Sequence, residues 1–144
     1  MAKMPTVRVV LANASTQNWE IDHVDVKSMY LNMVLKEMIY MKVPWGVLKP
    51  GEEGKVCHLI KGLYGLKQAG QGWYQEMSQV LMKDLGFTHS AVDHSMFFWQ
   101  SLDEHTIIMV VTDDMVVTSK HPEDIVRFKE EIRRYWEITD NGPI

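Results

Sequence analysis

The chain has 144 residues with 46% apolar and 24% charged side chains, enough for one domain with a sizeable core and excluding a wholly disordered chain. Nineteen acids against fifteen Lys and Arg leave a net charge of -4, a balance that by itself argues against a self-sufficient nucleic-acid binder. One cysteine, Cys57, excludes an intramolecular disulfide and a cysteine-rich zinc site, and suits a reducing compartment. No apolar run approaches the ~20 residues of a membrane span, and the N-terminus carries no apolar signal segment.

Pro5 and Thr6 open a stretch in which Val7, Val10, Leu11 and Ala14 recur at helical spacing. Trp19 to Asp25 alternates with period two (Trp19, Ile21, His23, Asp25 against Glu20, Asp22, Val24) and predicts a strand. Ile39 to Val43 predicts another, broken at Pro44. Lys49-Pro50-Gly51-Glu52-Glu53-Gly54 has turn chemistry, and Val56 to Ile60 reads as the returning strand. Gly62 to Gly70 is a glycine-bearing loop feeding a helix whose buried stripe is Trp73, Met77, Val80 and Leu81, with Gly86 beyond its end.

Met96 to Trp99 predicts a strand. Two β-branched runs, Thr106 to Val111 and Met115 to Thr118, flank Asp113 and Asp114 and predict a β-hairpin with the acids at its tip. His121-Pro122-Glu123-Asp124 opens a last helix, with Ile125, Phe128, Ile132 and Tyr135 as its core face. Helices alternating with mostly antiparallel strands make the class α+β.

Two adjacent carboxylates repel, and a bound divalent cation relieves that repulsion. Hard cations such as Mg²⁺ take one or two carboxylates together with substrate phosphates. Aspartate is also a common turn residue, but no Gly or Asn accompanies this pair to make an ordinary tight turn. Asp25 ends the first predicted strand. If that strand lies beside the hairpin, three carboxylates converge at one sheet end, as a two-metal phosphoryl-transfer site requires. His89 and His94 straddle Asp93 with nothing placed to complete a zinc site, so they read as loop histidines. Cys57 reads as a structural thiol.

Four segments in order carry a resemblance: Asp25-Val-Lys-Ser-Met-Tyr-Leu-Asn32, Ile39-Tyr-Met41, Gly62-Leu-Tyr-Gly-Leu-Lys-Gln-Ala69 with Trp73-Tyr74, and the Asp113-Asp114 hairpin. Together they resemble the reverse transcriptase domain of copia-type LTR retrotransposons, from about Lys3 to Gly142. The resemblance implies a polymerase palm: an antiparallel sheet with helices on one face, the fingers incomplete and the thumb absent, in a single partial domain over residues 1–144. It implies an RNA-directed DNA polymerase that moves a nucleotide from dNTP to a primer 3′-OH. Asp25, Asp113 and Asp114 match the catalytic metal ligands for two Mg²⁺ or Mn²⁺ ions, with Asp114 the less direct. Tyr30 matches the aromatic residue under the incoming sugar, and Lys67 and Gln68 lie in the loop that contacts nucleotide or template.

The implied partners are an RNA or DNA template-primer, dNTP and the remaining polyprotein segments (fingers, thumb, RNase H, integrase), with no membrane. The implied location is intracellular, in a cytoplasmic virus-like particle or the nucleus. The sequence departs from the pattern at Val111-Thr112, where an aromatic residue and a small aliphatic one are usual. It departs again at Met33, where the family turns on glycine, and at Gly70-Gln71-Gly72, where Pro-Arg is usual. Absence of the clamp on primer and template leaves an alternative, a non-catalytic remnant or interaction module that retains the palm fold.

Overall fold

The computed structural model describes residues 2–101, 105–111 and 114–144. The chain divides into two compact units, residues 28–75 and the remainder.

The larger unit begins with helix α1 (Met4–Gln17), which buries Val10 and Ala14 as its spacing predicts. Buried Asp93 fastens the start of α1, accepting the Lys3 N–H at 2.9 Å and the Ser95 N–H at 3.0 Å. Burial pushes the Asp93 carboxyl up, but these N–H groups and the Thr6 hydroxyl outweigh it and hold it below its ordinary value. His89 and His94 stack edge to face beside it, with ring centroids 4.9 Å apart.

The central element is a six-stranded sheet. Its strands are β1 (Glu20–Val26), β4 (Thr88–His89), β5 (Met96–Gln100), β6 (His105–Val111), β7 (Asp114–Ser119) and β8 (Ile138–Pro143). They run in the order β4-β5-β6-β7-β1-β8, every pairing antiparallel. Side chains alternate across a strand, so Asp22, Val24 and Val26 share one face of β1 while Ile21, His23 and Asp25 share the other. The first face is core: Val24 lies opposite Met115 in β7, and both are fully buried. Helix α4 (Pro122–Ile132) reaches this face, burying Ile125, Phe128 and Ile132 and sending Lys129 to Asp22. Tyr135 does not join that stripe. The helix ends at Ile132, and the tight turn after it exposes Tyr135 and buries Trp136 in its place.

Two further elements have no counterpart in the sequence pattern. Helix α3 (Ala69–Gln79) continues as a π-helical turn over Val80–Asp84, where the Leu85 N–H reaches the Val80 carbonyl at 3.1 Å. The buried stripe of Trp73, Met77, Val80 and Leu81 survives, and Gly86 follows it with φ of 74°. The edge strand β8 is the other, its turn-like Asp140-Asn141-Gly142-Pro143 sequence concealing a pairing with β1.

The smaller unit contains the short helix α2 (Met29–Asn32) and a two-stranded sheet of β2 (Val34–Lys42) and β3 (Val56–Lys61). The Lys49–Gly54 turn between them closes as its residues predict, with the Glu52 N–H on the Lys49 carbonyl at 3.1 Å and the Lys49 N–H on the Glu52 carboxylate at 3.0 Å. Met33 is extended, with φ of -78°, so no left-handed backbone is needed at the family's glycine position. The left-handed residue is Ser28 instead, at φ 49° and ψ 42°. Ser28→Gly is therefore expected to stabilise the chain by about 0.5–1 kcal/mol in urea denaturation. A loss of stability would show that this turn is not kept in solution.

Among the described residues, no helix is long and apolar enough to cross a membrane.

Candidate functional site

β1 and β7 pair with Asp25 directly opposite Asp114. Opposed residues of an antiparallel pair project to the same face with Cβ atoms about 4.5–5.5 Å apart, so the register puts two carboxylates side by side at one end of the sheet. Both are only partly buried, and the Asp114 side chain is 48% exposed, open to a hydrated cation. β6 and β7 form the hairpin the sequence predicts, and Asp114 stands on its last paired rung. It is the first residue of β7, opposite Val111. Asp113 lies outside the described residues, as does Thr112.

His23, two residues before Asp25 and so on the same face, places Nε2 3.1 Å from Asp114 Oδ1. Its other ring nitrogen, Nδ1, lies 3.1 Å from Asn141 Nδ2. Neither residue is a site candidate from sequence. Period two along β1 marks His23 as a neighbour of Asp25, whereas nothing local marks Asn141, because β8 itself is hidden in a turn-like sequence.

The remaining candidates belong to the smaller unit. Tyr30 is half-buried in α2 and meets Tyr64 edge to face, with centroids 4.6 Å apart. Gln68 donates from Nε2 to Glu37 at 3.2 Å, and Lys67 is exposed on the loop before α3. Among the described residues, no group of three or more His, Cys, Asp or Glu side chains is gathered to hold a metal. Asp25 and Asp114 are thus a pair of hard oxygen donors. That pair fits Mg²⁺ or Mn²⁺, which take one or two carboxylates and fill their remaining positions with water or phosphate.

The whole chain, residues 1–144, matches the family described as reverse transcriptase (RNA-dependent DNA polymerase). It is 32% identical over 144 residues to the retrovirus-related Pol polyprotein from transposon TNT 1-94 of Nicotiana tabacum, covering 99% of this chain and 11% of that protein. It is 31% identical over 139 residues to the corresponding polyprotein from transposon RE1 of Arabidopsis thaliana, covering 96% and 9%. A putative transposon Ty5-1 protein of Saccharomyces cerevisiae is 32% identical over 120 residues, 83% of this chain and 39% of that protein. No solved structure matches. The chain spans about a tenth of the two plant polyproteins, and it belongs to the reverse transcriptase family of copia-type transposon Pol polyproteins.

Proposed function

We propose that this chain is a single partial reverse transcriptase domain, a polymerase palm with part of the fingers, built for RNA-directed DNA synthesis by two-metal phosphoryl transfer. The observation that carries the reading is the register that sets Asp25 opposite Asp114, next in sequence to Asp113. When bound, divalent cations at such a site lower the pKa of the attacking hydroxyl and stabilise charge on the leaving phosphate. Asp25, Asp113 and Asp114 are the residues to hold them. The primer 3′-oxygen attacks the α-phosphorus of the dNTP, the bond to the β-phosphate oxygen breaks, and pyrophosphate leaves. Tyr30 sits under the sugar and disfavours a 2′-hydroxyl, while Lys67 and Gln68 contact nucleotide or template. The exposed ammonium of Lys67 suits a phosphate. Partners are a template-primer, dNTP and the neighbouring polyprotein segments, inside the cell.

Mn²⁺ titration followed by electron paramagnetic resonance is the direct test. Asp25→Asn and Asp113→Asn are each expected to weaken binding at least ~10-fold, because each removes an anionic ligand from a hard cation. Unchanged affinity in both would overturn the metal assignment. Primer extension on an RNA template with deoxynucleotides and Mn²⁺ tests the polymerase assignment separately.

A second reading, a non-catalytic interaction module, is favoured by one feature of the smaller unit. Its two-stranded sheet leaves Met38 79%, Ile60 71% and Tyr40 57% exposed, and Trp45 in the following turn is wholly exposed. Metal binding without nucleotide incorporation, accompanied by dye-accessible apolar surface, would select this reading.

A further inference from the structure

We infer that Asn141 and His23 form a hydrogen-bond relay that positions the Asp114 carboxylate. The inference rests on the metal-site reading above and adds two positioning residues to it. Asn141 Nδ2 can only donate, so the His23 Nδ1 it contacts at 3.1 Å must be the acceptor nitrogen of the ring. A neutral imidazole that accepts at Nδ1 carries its proton on Nε2. That nitrogen is the one 3.1 Å from Asp114 Oδ1, so it donates to the carboxylate. The amide thus selects the tautomer, and the tautomer selects the carboxylate orientation.

The relay answers a local electrostatic problem. Asp25 and Asp114 face each other across the β1–β7 register, and two opposed carboxylates repel. A donor fixed on Asp114 Oδ1 offsets part of that repulsion and removes one rotational freedom from the side chain. With Oδ1 held by His23, Asp114 would offer its Oδ2 to a divalent cation. Ligating carboxylates are commonly oriented by such outer partners, whose loss weakens metal affinity by about 10–100-fold.

The topology explains why the three residues meet. β1 lies between β7 and β8, so a residue of the central strand can touch side chains from both neighbours. His23 pairs with Gly142 in β8, and the ladder shifts register between His23 and Val24. This irregularity brings Asn141, adjacent to His23's backbone partner, to the imidazole. β8 therefore contributes to a site at which it supplies no carboxylate.

The test combines a metal-free measurement with a metal titration on the full chain. Long-range ¹⁵N–¹H spectra of the imidazoles, recorded at about pH 8 where an ordinary histidine is neutral, report the tautomer directly. His23 is expected with its proton on Nε2, and Asn141→Ala is expected to mix the tautomers. A proton on Nδ1 in the wild-type chain overturns the relay whatever the metal does. In Mn²⁺ titration, His23→Leu is expected to lower affinity about 10-fold, and Asn141→Ala by a smaller factor. His23→Gln should recover most of the loss, because its amide can accept from Asn141 and donate to Asp114. Affinity that falls with Asp25→Asn but not with His23→Leu overturns the relay while leaving the metal site standing. If Asp25→Asn and Asp113→Asn both leave affinity unchanged, the metal site itself fails, and the tautomer still decides the relay.

Discussion

Replacing Lys129 with alanine is expected to cost about 3–5 kcal/mol of folding stability, read as a shifted midpoint in thermal or urea denaturation. The Lys129 ammonium is buried beneath α4 and bonds the carboxylates of Asp22 in β1 and Asp140 in β8, so one side chain ties a helix to two strands. Removing it strips the cation from Asp22, which has only 15% of its side chain exposed to water, and leaves Asp140 with Arg133 alone. Lys129→Met combined with Asp22→Leu should recover much of the loss, since it removes both halves of the buried pair while Asp140 keeps Arg133 at 3.6 Å. By contrast, the exposed pairs Lys55–Glu52 and Arg134–Glu131 should contribute little, because water screens them.

The same clamp sets a pH dependence. The Lys129 ammonium, opposed by burial and aided by the Gly142 N–H, holds the Asp140 carboxyl below its ordinary value. A depressed carboxyl contributes stability that is present above its unfolded value, near ~3.9, and is lost as pH falls through the lower folded value. Burial would pull Lys129 down, but the Asp140 and Asp22 carboxylates outweigh it and raise the ammonium above the lysine norm. Its contribution is full below about pH 10.4 and lost only as pH rises through the folded value. Stability should therefore fall on the acid side, and the fall should be shallower in Lys129→Met. An identical acid profile in both proteins would show that the clamp is not formed in solution.

Gly62→Ala is expected to cost about 3 kcal/mol, the upper end of ordinary overpacking. A Cβ there would lie 2.5 Å from the Tyr30 carbonyl oxygen and 2.8 Å from Met33 Cε. The carbonyl belongs to the backbone of α2 and cannot swing aside, and the Gly62 N–H is bonded to the Met33 carbonyl at 2.9 Å. Gly72→Ala meets a different obstacle, its Cβ running into Met33 Sδ. Methionine can re-rotamerise, and alanine is the better helix former by roughly 0.5–1 kcal/mol. A loss of about 1–2 kcal/mol is expected at Gly72, within the overpacking range. In a Met33→Ala background, Gly72→Ala should become favourable and Gly62→Ala should remain costly. Equal rescue of both would show that the Tyr30 carbonyl is not the barrier at Gly62.

These two sites show where sequence pattern reaches and where it stops. α1, β1, β3, β5 and α4 were legible because each carries its own period of apolar residues or its own turn chemistry. β8 was not, because Ile138 to Pro143 has no alternation to read and exists as a strand only by pairing with β1. Tyr135 fits the helical period of α4, yet the helix ends before it, and the turn substitutes Trp136. Met33 looks unsuitable where a glycine is usual, and the structure answers with an extended backbone and a side chain packed over Gly72.

The candidate site divides in the same way. The amino-acid order alone determined the family resemblance, the α+β class and the acids worth testing, because these are properties of residue type and spacing. It also gave the net charge of -4 that spoke against nucleic acid, a balance to which three proposed metal ligands contribute. Only the tertiary structure decided that Asp25 stands opposite Asp114, since the register of strands far apart in sequence is fixed by which faces are buried. Only it brought His23 and Asn141 to that pair, because a central strand can place a side chain between two neighbours that sequence does not adjoin.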